Sequence, residues 1–331
     1  MGFTKNQKGN NGRFDTYLSS FNYLILMTRF FFNLNLTCLL LCVSFSGRSQ
    51  TDSTELYEML DSIVDMGVRN YEDTAVLNQV GNYIYSQFEL YSDNVSKQEF
   101  KIGSLTFFNV IALVGDTTKP RIVVGAHYDV CQEQDGADDN GSGVVGLITT
   151  LKNLKDHQGE YCYEFVAYTL EEPPFYGSEY MGSHIHATDL KKRGVEVYGM
   201  ISLEMLGFFS DEKKSQRYPL GILKLFYGGK GDYITLVGTF NKGKFVKKFT
   251  KEFKKSKMIK TKKFTGPKSL AGIDFSDHRS YWVLGMDAMM ITDTSFYRNE
   301  NYHKNTDTMD TLDFHRMAAV VNAVIYSLKK F

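Results

Sequence analysis

The sequence predicts an α/β domain built on one doubly wound, mixed but mostly parallel sheet with helices on both faces. Three observations carry that expectation. Strand-length apolar runs end at His127 and span Tyr163 to Leu170, Val197 to Leu206 and Met286 to Thr292. Segments with helical spacing of apolar residues alternate with these runs. Polar residues cluster where the runs end, at the C-terminal strand ends where open α/β sheets place their ligands.

The chain has 331 residues, no net charge and 43% hydrophobic content, enough for one sizeable core. Zero net charge argues against nucleic acid as the main partner. Residues Phe30 to Phe45 (FFFNLNLTCLLLCVSF), after Arg29 and before Ser46 and Gly47, have the length and flanks of a signal-peptide core. Their Asn and Thr residues make a poor membrane-spanning helix, and an uncleaved anchor is the alternative. Met1 to Leu26 is long and polar for the segment before such a core, whereas a start at Met27 would give a conventional signal. The expected organisation is an N-terminal extension and signal over residues 1–49 and one domain over 50–331, outside the cytoplasm and either periplasmic or secreted.

Within that domain, Glu55 to Val68 and Ala75 to Tyr91 read as two amphipathic helices packing on one side of the sheet. Ser96 to Val114 alternates around a Gly break, as a hairpin leading into a strand does. The strand to His127, a turn-rich loop to Gly143 and an apolar helix from Val144 to Leu154 follow, and then the Tyr163 to Leu170 strand. Gly207 to Lys230 mixes aromatics, Lys, Gly and Pro219, which suggests a long surface excursion over the site. In Lys244 to Lys263, Phe245, Phe249 and Phe253 recur every fourth position among lysines. That spacing predicts a helix with an aromatic inner face and a solvated basic outer face, the alternative being a site for acidic partners. Phe314 to Leu328 is the closing helix, with Asp307, Asp310 or Asp313 available as its cap.

Of four cysteines, Cys38 and Cys42 fall in the signal segment. Cys131 follows one strand end and Cys162 begins a parallel strand, so strand length, at ~3.3 Å per residue, separates their sulfurs by about 25–30 Å. Both are expected to be ordinary semi-buried thiols, and the fold must hold by its core.

The chemistry concentrates in RIVVGAHYDVCQEQDGADDNGSG, from Arg121 to Gly143. His127 offers a neutral nitrogen and Asp139 carboxylate oxygens, a mixed donor set that suits zinc. Asp129, two residues after His127, points the same way on an extended strand and would orient the imidazole. Glu171 and Glu172 follow the Tyr163 to Leu170 strand. Adjacent carboxylates there diverge, so one can face a metal and the other a water whose proton it takes. Glu204 closes the apolar run VYGMISLEML, where a carboxylate costs several kcal/mol unless neutralised or coordinated. Tyr302-His303 lies in a polar loop after the last apolar run, and His303 would be the second imidazole.

In this order, HYD, GADDNGSG, LEEPPFYGSEYMGS, SLEMLG, SDHRSYW and NYHKNTDTMDTL resemble the co-catalytic di-zinc aminopeptidase family, relatives of secreted bacterial leucyl aminopeptidases and glutamate carboxypeptidase. The resemblance runs from about Glu55 to the C-terminus and implies the zinc exopeptidase fold and two zinc ions. It makes Asp139 the bridging carboxylate, His127 and Glu204 ligands of one ion, and Glu172 and His303 ligands of the other. Glu171 becomes the general base, Asp129 the orienting carboxylate and Tyr302 a donor to the oxyanion. The implied reaction is hydrolysis of the first peptide bond of peptides with a free N-terminus. Phe208-Phe209 and Phe296-Tyr297 are candidate walls of a pocket for an apolar first side chain, with core packing as the alternative for such aromatics. The peptide bond after Asp139 is often cis in such relatives.

Glu204 departs from the best-known aminopeptidases, which have Asp there. No inserted protease-associated or dimerisation domain is visible, and a monomer is expected. His184 and His186 read as surface groups and His278 as structural. Two alternatives share the fold: single-zinc glutaminyl cyclases, which lack the first imidazole, and non-enzymatic ectodomains, which lose ligands. This chain keeps every ligand position.

Overall fold

The computed structural model describes residues 1–3, 51–240 and 243–331, and the fold below is that of Thr51–Phe331 taken by itself. The expected signal segment, with Cys38 and Cys42, lies outside the described residues. Helices α1 (Ser53–Val64) and α2 (Thr74–Glu89) open the domain. Each starts on an aspartate: Asp52 accepts from Thr54 N at 2.9 Å, and Asp73 from Val76 N at 3.1 Å. The hairpin β1 (Val95–Ile102) and β2 (Leu105–Val114) follows. Strand β3 (Arg121–His127) leads through a loop to α3 (Gly143–Leu154), then to β4 (Cys162–Tyr168), α4 (Gly182–Lys192) and β5 (Val197–Glu204).

The excursion after β5 carries only the short helix α5 (Leu223–Tyr227) before β6 (Ile234–Thr239). Helix α6 (Lys244–Ser256), β7 (Thr261–Gly266), α7 (His278–Val283), β8 (Ala288–Thr292) and α8 (Phe314–Leu328) complete it. The caps of α8 resolve to Asp313, which accepts from Arg316 N at 2.9 Å.

The eight strands form one sheet in the order β1-β2-β4-β3-β5-β8-β6-β7. The central four, β4-β3-β5-β8, are parallel, β6 is antiparallel to β8, and β7 runs parallel to β6. Alternation along the strands divides the core. Ile122, Val124, Phe165, Ile201, Leu203 and Ile291 face a large cluster with α1, α2, α3, α6 and α8. Val123, Val166, Tyr168, Met200 and Met290 face α4 and α7, through Ala187, Leu190, Tyr281 and Trp282. Helices therefore cover both faces, as the alternating pattern requires. Gly125 is needed at the centre of β3, because a Cβ there would stand 2.2 Å from Tyr168 Cε2 on the next strand.

Three expectations are corrected here. The lysine-rich stretch is not one helix: α6 ends at Ser256, Lys257 turns left-handed (φ 55°), and the remainder becomes edge strand β7. Phe245, Phe249 and Phe253 do form the buried face of the helical part. His186 is a buried group, 1% exposed, whose Nδ1 lies 2.7 Å from Tyr281 Oη and Nε2 3.2 Å from Glu164 Oε1. A histidine with a carboxylate and a phenol to bond is stable inside, and spacing on the helix alone did not reveal those partners. Cys131 and Cys162 are unpaired as expected but fully buried rather than semi-buried.

Candidate metal centre

The site is built at the C-terminal ends of the parallel strands. His127 is the last residue of β3 and Glu204 the last of β5, each two residues beyond the register pair Gly125 and Ser202. Equal offsets on adjacent parallel strands put both side chains on the same face, and His127 Nε2 lies 3.4 Å from Glu204 Oε2. Asp139 comes from the loop before α3, where its backbone (φ −101°, ψ 93°) and that of Asn140 leave helical geometry. The Asp139-Asn140 peptide bond is cis, as the resemblance implied.

The two oxygens of Asp139 face different histidines. Oδ1 is 3.5 Å from His127 Nε2, and Oδ2 is 3.3 Å from His303 Nε2. His303 Nε2 is in turn 3.2 Å from Glu172 Oε2. All five proposed ligand side chains thus converge, in two groups that share Asp139. Glu171 Oε2 stands 3.9 Å from His127 Nε2.

Neighbouring residues hold these donors in place. Asp307 accepts from the backbone N–H of Asp138 (3.1 Å) and Asp139 (3.0 Å). Asn140 donates to Leu203 O (2.9 Å) and accepts from Met205 N (3.0 Å), tying the loop to β5. Ser276 Oγ donates to Glu204 Oε2 at 2.7 Å. Buried Arg69 donates to the carbonyls of Asp135 and Gly136. Asn140, Ser276 and Asp307 lie in segments that stood out in the sequence, GADDNGSG, SDHRSYW and NYHKNTDTMDTL, whereas Arg69 does not. Asp307 was expected at a helix cap instead, and the distance in sequence between 138 and 307 hid its role.

Asp129 differs in detail from expectation. Strand β3 stops at His127, so Asp129 has left the strand. Its carboxylate accepts from Glu171 N and Glu172 N, and His127 Nδ1 lies 3.6 Å from Oδ1 but 3.2 Å from the Asp129 carbonyl. The residue therefore orients the imidazole partly through its main chain and the two glutamates through its side chain.

The electrostatics are those of crowded negative charge. Burial, followed by neighbouring carboxylates, raises Glu171 well above the usual range and lifts Glu172 to about 7 and Glu204 upward. Burial opposes charge on the histidines too, yet Asp139 and Glu172 push His303 up to about 10, and Glu204 and Glu171 push His127 well upward. Burial would raise Asp139 as well, but hydrogen bonding and charge from the two histidines hold it below its ordinary value. Such a cluster binds its own protons tightly in place of a cation.

A cavity of about 350 Å³ opens beside these groups. Its walls include Tyr233, Val237 and Phe264 from the β6-β7 edge, Met290 from β8, and Phe296 and Tyr297. The excursion after β5 contributes Gln216 through Pro219 and Tyr227, so it does pass over the site. Tyr302 also lines the cavity, its ring stacked on His303 at 3.8 Å. The Phe208-Phe209 wall is not realised: neither residue lines the cavity, and Phe209 packs against Arg298 and Arg316 instead. His278 is structural, as expected, with Nε2 2.9 Å from Ile273 O.

Residues 109–328 match the family described as Peptidase family M28. The chain belongs to that family. This M28 peptidase is 36% identical over 265 residues to the uncharacterized protein YfbL of Escherichia coli, covering 78% of this chain and 81% of that one. It is 26% identical over 229 residues to a probable leucine aminopeptidase of Arthroderma otae, covering 66% of this chain and 55% of that relative. Among solved structures it superposes on the LapA aminopeptidase of Legionella pneumophila with a TM-score of 0.66 at 19% identity, covering 84% of this chain and 72% of that one. A glutaminyl cyclase of Bacteroides thetaiotaomicron gives 0.62 at 19% identity over 85% of this chain and 99% of that one. These two superpositions establish the shared fold.

M28 peptidases are zinc-dependent, and the residues of this chain fit the metal. His127, Asp139 and Glu204 bring one donor atom each to within 4.8 Å of one another. Asp139 Oδ2, Glu172 Oε1 and His303 Nε2 are buried without a hydrogen-bond partner. Leaving such atoms unpaired costs about 1–3 kcal/mol each unless something outside the chain satisfies them. Neutral imidazole and carboxylate are the donors zinc takes. No helix among the described residues is long and apolar enough to cross a membrane.

Proposed function

We propose that this M28 peptidase is an aminopeptidase that holds two zinc ions and hydrolyses the first peptide bond of peptides with a free N-terminus. The observation that supports two ions is the split of Asp139, with Oδ1 toward His127 and Oδ2 toward His303. His127 and Glu204 would complete one donor set, and Glu172 and His303 the other. Relatives named leucine aminopeptidase support the reaction.

Bound zinc supplies Lewis acidity, polarising a carbonyl oxygen and making a water acidic near neutral pH. Glu171 is the general base. It is buried, and its Oε2 stands 3.9 Å from His127 Nε2, farther than Glu204 from His127 (3.4 Å) or Glu172 from His303 (3.2 Å), so its carboxylate takes a proton and returns it to the leaving amine. Asp129 holds the main chain of both glutamates and so sets the direction of each. Tyr302 donates its hydroxyl to the oxyanion of the tetrahedral species. The cavity receives an apolar first side chain, since Val237, Phe264, Met290 and Phe296 offer it no charge. The protein acts as a monomer outside the cytoplasm, a reading that rests on the sequence of residues 30–45 and on a catalytic domain spanning residues 50–331.

The test combines metal content with amino-acid release from free and N-acetylated peptides, with Glu171→Gln as control. Two zincs per chain, release from free N-termini alone, and loss of turnover with metal retained in the variant are expected. One zinc with cyclisation of N-terminal glutamine would replace this reading with the cyclase, and no metal with no turnover would leave a binding protein.

A further inference from the structure

Cys131 has no part in the chemistry above. It is buried, and it lies in the same loop as Asp139, four residues past His127. Its Sγ, one carboxylate oxygen of Glu172 and one ring nitrogen of His303 all lie within 4.8 Å of one another. The other buried cysteine has different surroundings: Cys162 begins β4 at the far end of the strands, with its sulfur 3.8 Å from the Tyr163 carbonyl. Two further atoms in the Cys131 corner are buried and unpartnered, Glu172 Oε1 and His303 Nε2, and Glu172 is only 4% exposed. Sulfur, oxygen and nitrogen donors therefore crowd one point.

Resting on the two-zinc reading, we propose that Cys131 supplies a sulfur ligand to the zinc held by Glu172 and His303. Asp139 Oδ2 and Glu172 Oε2 lie 3.3 and 3.2 Å from His303 Nε2, and Cys131 would add a thiolate, a donor zinc readily takes, beside Glu172 and His303. Ligation replaces the thiol proton with the metal and releases that proton to solvent. Thiolate also makes the His303 side select soft metals, zinc, cobalt or cadmium, over manganese and magnesium.

Cobalt(II) makes the ligand visible. The metal-free full-length chain is titrated with cobalt and its absorption recorded, alongside Cys131→Ser and Cys162→Ser. Visible ligand-field bands report cobalt bound, and a near-ultraviolet charge-transfer band reports a cobalt–thiolate bond. The wild-type chain and Cys162→Ser should show both features. Cys131→Ser should keep the visible bands, lose the near-ultraviolet band and bind one of its two cobalts at least ~10-fold more weakly. X-ray absorption of the zinc-loaded wild type should add a sulfur neighbour at about 2.3 Å, independently of how any variant folds. Visible bands without the charge-transfer band in the wild type, or a band that survives Cys131→Ser, overturn the sulfur ligand and leave the two-metal reading standing. Failure of the wild type to bind cobalt at all overturns both.

Discussion

The carboxylate of Asp129 accepts two hydrogen bonds from consecutive main-chain groups, Glu171 N at 3.1 Å and Glu172 N at 3.0 Å. One side chain past the end of β3 thereby fixes the turn past the end of β4. Two charge-assisted bonds of this kind are worth roughly 1.5–3 kcal/mol each. Asp129→Ala is expected to cut kcat by about 10–100-fold and to weaken metal binding, since both glutamates lose their common tether. Asp129→Asn keeps the shape but can accept at only one oxygen, and should fall between wild type and Ala in kcat and in metal titration.

Glu171→Gln should lower kcat by about 10²–10⁴-fold with metal content unchanged, because the amide can occupy the position but cannot carry the proton. Glu172→Gln should instead lose metal. Zinc analysis of the two purified variants separates the roles, and equal metal loss in both would contradict the assignment.

Metal removal should affect stability as well as turnover. Asp139, Glu172 and His303 are left with buried, unpartnered atoms when nothing is bound. A ligand that binds only the folded chain at 100 times its Kd adds about 2.7 kcal/mol, so chelation should lower Tm by about 4–5 °C, reversibly on adding zinc back. Calorimetry with and without chelator measures it.

His278 provides a pH dependence away from the metal. Burial, the dominant cause, lowers its pKa to about 4, and it packs edge-on against Trp282 with ring centroids 4.4 Å apart. In the unfolded chain it titrates near 6.5. Between these values the unfolded state binds the proton and the folded state does not, so this contribution to stability is present above pH 6.5 and is lost as pH falls toward 4. Denaturant unfolding at pH 7 and pH 4.5 should show a loss that is about 2–3 kcal/mol smaller in His278→Gln than in wild type.

The cavity wall predicts selectivity. Val237 stands on β6 facing the space that an apolar first side chain would fill. Val237→Phe should reduce kcat/KM for peptides beginning with Leu or Phe by about 10–200-fold and leave those beginning with Ala nearly unchanged. A uniform loss across all substrates would place the first side chain elsewhere.

The parallel core and its ligands were legible because burial imposes a pattern. A strand covered on both faces must be apolar throughout, so His127 and Glu204 at the ends of such runs stand out as polar residues that need a reason. The β7 edge was not legible, whereas the β1-β2 hairpin at the other edge was. Strand β7 carries Lys262 and Lys263 on a half-exposed edge, and its residues follow the phenylalanine period of α6 without a break in composition. Only the left-handed turn at Lys257 separates helix from strand, and lysine is no signal for it. Asp307 and His186 were misplaced for a different reason: their partners, Asp139 and Glu164, are distant in sequence, and a polar residue reads as surface until its partner is known.

The converging donors come from His127 on the third strand, Asp139, Glu172 and Glu204 in turn, and finally His303, after which the loop with Asp307, the turn Met309–Thr311 and the closing helix follow. The reaction centre is therefore assembled last. A chain not yet complete through His303 lacks the second imidazole, and one whose C-terminal third has not docked keeps His127, Glu172 and Glu204 around Asp139 but not His303. Asp139 thus gains its second facing imidazole only when the loop that carries His303 docks.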